Sequence, residues 1–512
     1  MKKEIDKIID ILELVLVEKN DKDALKILEN FFESLDENNK QLSFINFDRV
    51  IRKFETQIQI YLFSLLLELD KTPKYLIEIL KLCISDEELD VHTKYFILYQ
   101  FTHRKFTNHL ITNSMVEELL RKLYYTIYDV YDNTFSSSLD FISKEQRNDN
   151  LIFVFTPQFL GINHAPTRRV LDRCVNLLKL GYEILLINTA EVLSTVNYIS
   201  IYDPMGANYL EEFSSLNSME YEGYQIPYYQ SSQNTPNVAE SMSILGIIQE
   251  YKPKMIFSFG NYCITSDLAS HIVPVANVPF SYDLPVTKAT FHVKVGMAFE
   301  EDYEILEKFE ISKESLVIDS PNYHLKKQQK NLTKEELGLP SDKFILALVG
   351  NRLDDEISDA FIEKLLETLG SNTHLAFIGK YNGYEKLVNQ NQVFKDNSTN
   401  LGYQSDVFAV YEHCNLYINP KRSGGGASSV EALSMGVPVI TLRYGDVYFG
   451  AGSEFGVDDE KSMVEKITHL ATDKSEYENM VSLAKKRVEI LTDTKTTLEK
   501  LIENITNNKH YL

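Results

Sequence analysis

A chain of 512 residues is long enough for about three domains, and its 44% hydrophobic and 25% charged residues exclude wholesale disorder. Its 52 Lys+Arg against 74 Asp+Glu leave a formal net charge of -22. A chain that negative repels a phosphate backbone, which argues against a dedicated nucleic-acid binder. A small anion stays open, because a local cluster of donors overrides net charge over a few ångströms.

The N-terminus starts Met1-Lys2-Lys3 but carries Asp6, Asp10 and Glu13 inside its apolar run, which breaks the pattern of a secretory leader. No stretch approaches the ~20 apolar residues of a transmembrane segment. Cys83, Cys174, Cys263 and Cys414 show no CxxC or zinc spacing and sit in apolar contexts. They are expected to be buried free thiols in a cytoplasmic protein, with no metal. Residues 1–131 read as an all-helical domain. Ile5, Ile8, Ile9, Leu12 and Leu16 recur at helical spacing, as do Val50, Ile51, Phe54, Ile58, Leu62, Leu65 and Leu69. Ser114-Met115-Val116-Glu117 matches a capping box. The polar segment 132–150 reads as a linker, so that removing 1–131 is expected to leave a soluble core.

At Leu151 the grammar changes. LIFVFT is a continuous apolar run, followed by a Gly/Pro loop, a helical stripe (Val170, Leu171, Cys174, Leu177) and a second strand, YEILLIN. Such strand–loop–helix–strand order is a βαβ unit with a parallel sheet. KMIFSFG and the stretch from Val273 to Phe280 add strands, and 151–330 is expected to form one doubly wound domain. Residues 331–512 repeat the alternation: a capping box at Thr333–Glu336, strand KFILALVG, helix 355–368, strand HLAFIG, strand-like NLGY, strand NLYINP, helix VEALSM, strand VPVITL and closing helices. The fold class is α/β, with two doubly wound domains behind a helical one and a ligand cleft at the carboxyl ends of the strands.

The richest stretch is Asn419-Pro420-Lys421-Arg422-Ser423-Gly424-Gly425-Gly426-Ala427-Ser428-Ser429-Val430-Glu431, between a strand and a helix. Its glycines let backbone approach a ligand, the helix start offers unpaired N–H groups, and Ser428 and Ser429 add hydroxyl donors. Together these suit a diphosphate. Glu431, one turn in, could accept from a ribose hydroxyl or simply complement the helix dipole. Arg352, at a strand end, could pair with phosphate or with Asp354, Asp355 or Glu356. Tyr403 and Gln404 stand at another strand end, where a nucleobase or plain core would account for Tyr403. The loop Pro157–Thr167 holds His164, which could act as a general base or cap the helix that follows.

The stretches TKEELGLPSDKFILALVGNRL and NLGYQSDVFAVYEHCNLYINPKRSGGGASSVEALSMGVPVITL resemble nucleotide-sugar glycosyltransferases of the glycosyltransferase-B fold. Gly-Gly-Ala-Ser-Ser-Val-Glu at 425–431 is similar to the Gly-His-Thr-Thr-Gly-Met-Asp of the O-GlcNAc transferase-like group. Asn163-His164-Ala165-Pro166-Thr167 is similar to that group's Asn-His-Pro-Thr loop. Retaining enzymes of the same fold carry two glutamates eight apart. Glu431 matches the second, and Ser423 stands at the first. The resemblance implies two Rossmann-like domains and a metal-independent transfer of glucose or N-acetylglucosamine from a UDP-sugar, the donor substrate, to a protein or glycan acceptor. No separate cofactor is implied. Arg352, Gly425, Gly426, Ala427, Ser428 and Ser429 would hold the diphosphate, Glu431 the ribose, Tyr403 and Gln404 the base, and His164 the acceptor. The alternatives are a non-catalytic partner subunit, which stabilises an active paralogue through the helical domain, and a nucleotide-sugar 2-epimerase.

Overall fold

The computed structural model describes residues 2–18, 20–70, 72–107, 113–162, 164–191, 209–231, 236–370, 372–422 and 424–511. They form two compact units. The first comprises Met1–Thr167, Leu185–Asn277 and Val286–Thr290; the second comprises Arg168–Ile184, Val278–Pro285 and Phe291–Leu512.

The first unit starts with seven helices: α1 (Lys2–Val17), α2 (Asp21–Glu33), α3 (Glu37–Ile51), α4 (Thr56–Asp70), α5 (Pro73–Ser85), α6 (Val91–Thr107) and α7 (Ser114–Phe135). Pro73 takes the first position of α5, where a missing N–H costs nothing. The cap of α7 is Asn113, whose side chain accepts from the Val116 amide at 3.0 Å, so the cap lies one residue ahead of the box read from Ser114. The α/β elements follow: β1 (Asn148–Thr156), α8 (Ala165–Lys179, mostly in the second unit), β2 (Glu183–Asn188), β3 (Ser218–Tyr221), β4 (Tyr224–Gln230), α9 (Val238–Tyr251), β5 (Pro253–Phe259), α10 (Ile264–Leu268) and β6 (Val275–Val278). The strands lie in the order β3-β4-β2-β1-β5-β6. The apolar run Leu151–Phe155 is buried along its whole length, as a parallel strand covered on both faces must be.

Tyrosines tie the helices to this α/β part. Tyr124, Tyr128 and Tyr131 repeat at i, i+4, i+7 along one face of α7. The Tyr124 hydroxyl donates to Asp267 of α10 at 2.5 Å, Tyr128 meets His271 Nε2 at 3.3 Å, and Tyr131 donates to the Pro236 carbonyl at 3.4 Å. Tyr95 of α6 donates to the Glu191 carbonyl at 2.7 Å. Asp267 also accepts from the Thr287 hydroxyl and the Lys288 amide. Burial pushes its carboxyl up to about 6, against the pull of those hydrogen bonds. The expectation that removing 1–131 leaves a soluble core therefore reverses. Deleting these residues strips the Tyr124 donor from a buried carboxyl and bares the apolar surface beneath α6 and α7. The expected result is an insoluble or dye-binding 132–512 fragment, read from its soluble fraction and its melting curve beside the full chain.

The second unit holds β7 (Phe291–Val295), α11 (Glu300–Lys308), β8 (Leu316–Asp319), β9 (Phe344–Gly350), α12 (Leu353–Glu356), α13 (Asp359–Leu366), β10 (Thr373–Gly379), α14 (Tyr384–Gln390), α15 (Gln392–Asp396), β11 (Ser398–Gly402), α16 (Val407–Tyr411), β12 (Leu416–Asn419), α17 (Gly426–Ser434), β13 (Val439–Leu442), α18 (Gly445–Ala451), β14 (Gly456–Val457), α19 (Glu460–Thr472), α20 (Lys474–Leu491) and α21 (Thr494–Thr506). Strands β9 to β14 form a six-stranded sheet in the order β11-β10-β9-β12-β13-β14, every pair parallel. Its core includes Leu346, Leu348, Phe377, Ile418, Val439 and Leu433. The closing helices each begin at an aspartate, Asp459, Asp473 and Asp493, whose side chain accepts from an amide three residues on. The order reverses beside β9, so the carboxyl ends of β9 and β12 open onto a topological switch point. All four cysteines are buried free thiols. Among the described residues no helix is long and apolar enough to cross a membrane.

Candidate functional site

The site is built from the carboxyl ends of β9 and β12, and a buried arginine organises it. Arg422, 3% exposed, uses all three of its nitrogens. Nε donates to Asn419 Oδ1 at 2.8 Å, Nη1 to Glu356 Oε2 at 2.7 Å, and Nη2 to the Val349 carbonyl at 2.8 Å and the Tyr417 hydroxyl at 2.7 Å. Burial opposes its charge, yet Tyr417 and Glu356 outweigh that and raise its pKa above the ordinary arginine value. The chain then turns over the guanidinium. Gly425 has φ 100°, and a Cβ there would begin 2.9 Å from Nη2. Backbone conformation and close approach both require glycine at this position.

The turn delivers the chain into α17. Nothing inside the helix accepts from the first-turn amides of Gly426, Ala427 and Ser428, and the start of a helix favours an anion. The serine hydroxyls differ from the sequence expectation. Ser428 Oγ donates to the Gly425 carbonyl at 2.9 Å and lies 2.9 Å from the Tyr417 hydroxyl, and Ser429 Oγ donates to the Gly426 carbonyl at 2.8 Å. The hydroxyls of Ser428 and Ser429 are thus closed back on their own turn, so the backbone is what this turn offers an anion. Ser423 lies outside the described residues.

Glu431 is half-buried, and among the described residues its carboxylate has no hydrogen-bond donor. Burial raises its pKa to about 7, while Arg168 and Lys326 pull it down. A desolvated carboxylate near cations but with no hydrogen-bond donor among the described residues is a candidate ligand position. Arg352 Nη2 donates to Glu356 Oε1 at 3.2 Å and stands 3.8 Å from where a Cβ of Gly424 would be. Glu356 therefore bridges Arg352 and Arg422, and Arg352 borders the glycine turn. Asp354 is spent on the amides of Asn382 and Gly383, at 2.9 and 2.6 Å. Among the described residues no group of three or more His, Cys, Asp or Glu is placed to hold a metal ion.

Tyr403, 75% exposed, projects from the turn after β11, and Gln404 Nε2 donates to the Leu401 carbonyl at 2.6 Å. Among the described residues neither hydrogen-bonds to the glycine turn. His164 belongs to the first unit, ahead of α8. Its Nδ1 lies 3.0 Å from Thr167 Oγ1, which in turn accepts from the Leu160 amide at 3.0 Å, while Asn163 lies outside the described residues. Sequence reasoning missed Arg422. The signal that singled out Arg352, an arginine just past a strand's carboxyl end, applied equally to it.

The fold, two α/β units with a six-stranded parallel sheet and a helical N-terminal region, is that of the glycosyltransferase-B class. Residues 344–473 match the family described as Glycosyl transferases group 1. Among solved structures, a mutant of the O-GlcNAc transferase of Thermobaculum terrenum aligns over 100% of this chain and 98% of its own, at TM-score 0.56 and 10% identity. A glycosyltransferase of Rickettsia africae ESF-5 aligns over 70% of this chain and 100% of its own (TM-score 0.48, 15% identity). Anabaena Alr3699/HepE, solved in complex with UDP, aligns over 69% and 99% (TM-score 0.47, 12% identity). No curated protein matches in sequence.

Proposed function

We propose that the chain transfers glucose or N-acetylglucosamine from a uridine diphosphate donor to a protein or glycan acceptor, without a metal ion. The observation that carries this reading is the glycine turn over Arg422: first-turn amides with no acceptor inside the helix, Arg352 at the rim and, one turn in, a Glu431 carboxylate with no hydrogen-bond donor among the described residues. The family match over 344–473 supports sugar transfer, and the resemblance of 425–431 to the O-GlcNAc transferase-like group supports uridine. In the reaction the bond from the anomeric carbon to the diphosphate oxygen breaks, its electron pair leaves with the diphosphate, and the acceptor hydroxyl bonds the carbon and loses its proton. Charge develops on the leaving diphosphate, where preorganised amides and a guanidinium stabilise it most. Glu431 accepts from the ribose, and His164 takes the acceptor's proton.

Glu431→Ala is expected to weaken UDP binding by about 1.5–3 kcal/mol, the range for a hydrogen bond to a charged group. Only the ionised carboxylate accepts from both of its oxygens. The wild-type affinity should therefore fall as pH drops through about 7, where Glu431 takes up its proton. The variant should lose that part of the pH dependence and keep only what protonation of UDP's terminal phosphate near pH ~6 contributes. Isothermal titration at pH 6 and 8 measures both effects. Unchanged UDP affinity in the variant would reduce Glu431 to a dipole partner.

A further inference from the structure

Three side chains beside the opening turn of α17 have no place in that reading. The Tyr323 hydroxyl stands so close to Gly426 that a Cβ there would begin 2.8 Å from it, and the same Cβ would lie 3.1 Å from the Asp446 Cβ. A Cβ on Gly450, later in α18, would lie 3.1 Å from the Tyr323 hydroxyl and 3.7 Å from that of Tyr282. Glycine at both positions lets two phenols reach in between the helices. The two hydroxyls bond each other at 2.9 Å. Two hydroxyls carry two protons and that contact consumes one, so the other has no acceptor among the described residues.

Asp446 supplies the converse. Its carboxylate is half-buried and among the described residues has no hydrogen-bond donor. Burial raises it to about 7, Asp283 adds to that, and Arg169 opposes it. Phenylalanine at 282 and 323 and an apolar residue at 446 would fill the same space without these unmet groups, so packing alone does not account for them. An unused donor beside an unused acceptor is the complement of a polyhydroxylated ligand, whose hydroxyls give and take hydrogen bonds at once. A sugar joined to a diphosphate at the α17 amides would be carried next to Gly426.

We infer that Asp446 and the Tyr282–Tyr323 hydroxyl pair bind the hydroxyls of the donor sugar. The inference rests on reading the glycine turn as the diphosphate site. It assigns donor-sugar selection to these three residues, apart from the ribose contact at Glu431.

Calorimetric titration of the full chain with UDP and, separately, with UDP-glucose and UDP-N-acetylglucosamine tests it. Asp446→Asn keeps the shape and exchanges an acceptor for a donor; Tyr323→Phe removes one hydroxyl. Melting curves show that both variants are folded. The expected result is UDP affinity unchanged in both. Affinity for at least one UDP-sugar should fall about tenfold or more in Asp446→Asn and about two- to tenfold in Tyr323→Phe. UDP-sugar binding equal to wild type in both variants would overturn the inference, and so would an equal loss of UDP and UDP-sugar, which would place the residues in the nucleotide site. Wild-type protein that binds no uridine diphosphate compound would instead overturn the glycine-turn reading, and the sugar site with it.

Discussion

Arg422→Met is expected to lower the stability of the folded chain by about 3–5 kcal/mol, the cost of removing one partner from a buried ion pair. The guanidinium is 3% exposed and ties Val349 at the end of β9, Glu356 in α12, and Tyr417 and Asn419 of β12. Methionine fills much of the volume but leaves the Glu356 carboxylate, 6% exposed, with Arg352 alone. The glycine turn would lose the surface over which Gly425 folds, so UDP binding is expected to disappear as well. Urea unfolding measures the first effect and calorimetry the second. The control is the double variant with Glu356→Leu. Removing both charges should return most of the lost stability, because the carboxylate is then no longer buried without its main partner. A single variant that loses less than about 1 kcal/mol would show that the arginine is an ornament of the loop.

Which parts of this were readable without coordinates follows from how local each signal is. The strands β1, β9, β10 and β12 were readable because a parallel strand covered on both faces must be apolar throughout, and Gly/Pro punctuation marked their ends. The glycine turn was readable for the same reason. What failed depended on distant partners or on small competitions between local terms. Thr333 and Glu336 make the reciprocal bonds of a capping box, the Glu336 amide to the Thr333 hydroxyl and the Thr333 amide to Glu336, yet only a turn follows. Gly338 at φ 65° and Pro340 end it within one turn, before a helix can repay its nucleation. The helix read across 355–368 divides into α12 and α13, because Ser358 caps a new start by accepting from the Phe361 amide at 3.1 Å. Nothing local marks Arg422 as buried, since its partner Glu356 lies 66 positions away. No local pattern says that the hydroxyls of Tyr124, Tyr128 and Tyr131 on α7 meet Asp267, His271 and Pro236.

His164→Ala is expected to lower turnover by ~10²–10⁴, the share of a positioned general base, while UDP affinity stays within a factor of two. The geometry around the imidazole gives the expectation its form. Thr167 Oγ1 already accepts from the Leu160 amide and keeps a second lone pair facing His164 Nδ1 at 3.0 Å. In the tautomer with its proton on Nδ1, donated to that lone pair, the ring carries its basic lone pair on Nε2. Thr167→Val removes the orienting oxygen without touching the ring, and it should reproduce part of the loss in turnover. Both variants need melting curves, because the same contacts also steady the start of α8, and a helix-capping role would appear there as lost stability with turnover intact. Transfer to a candidate acceptor, followed by mass spectrometry, gives the rates. Full turnover in His164→Ala, with unchanged melting, would make the Pro157–Thr167 loop scaffold and move the search for the proton acceptor elsewhere.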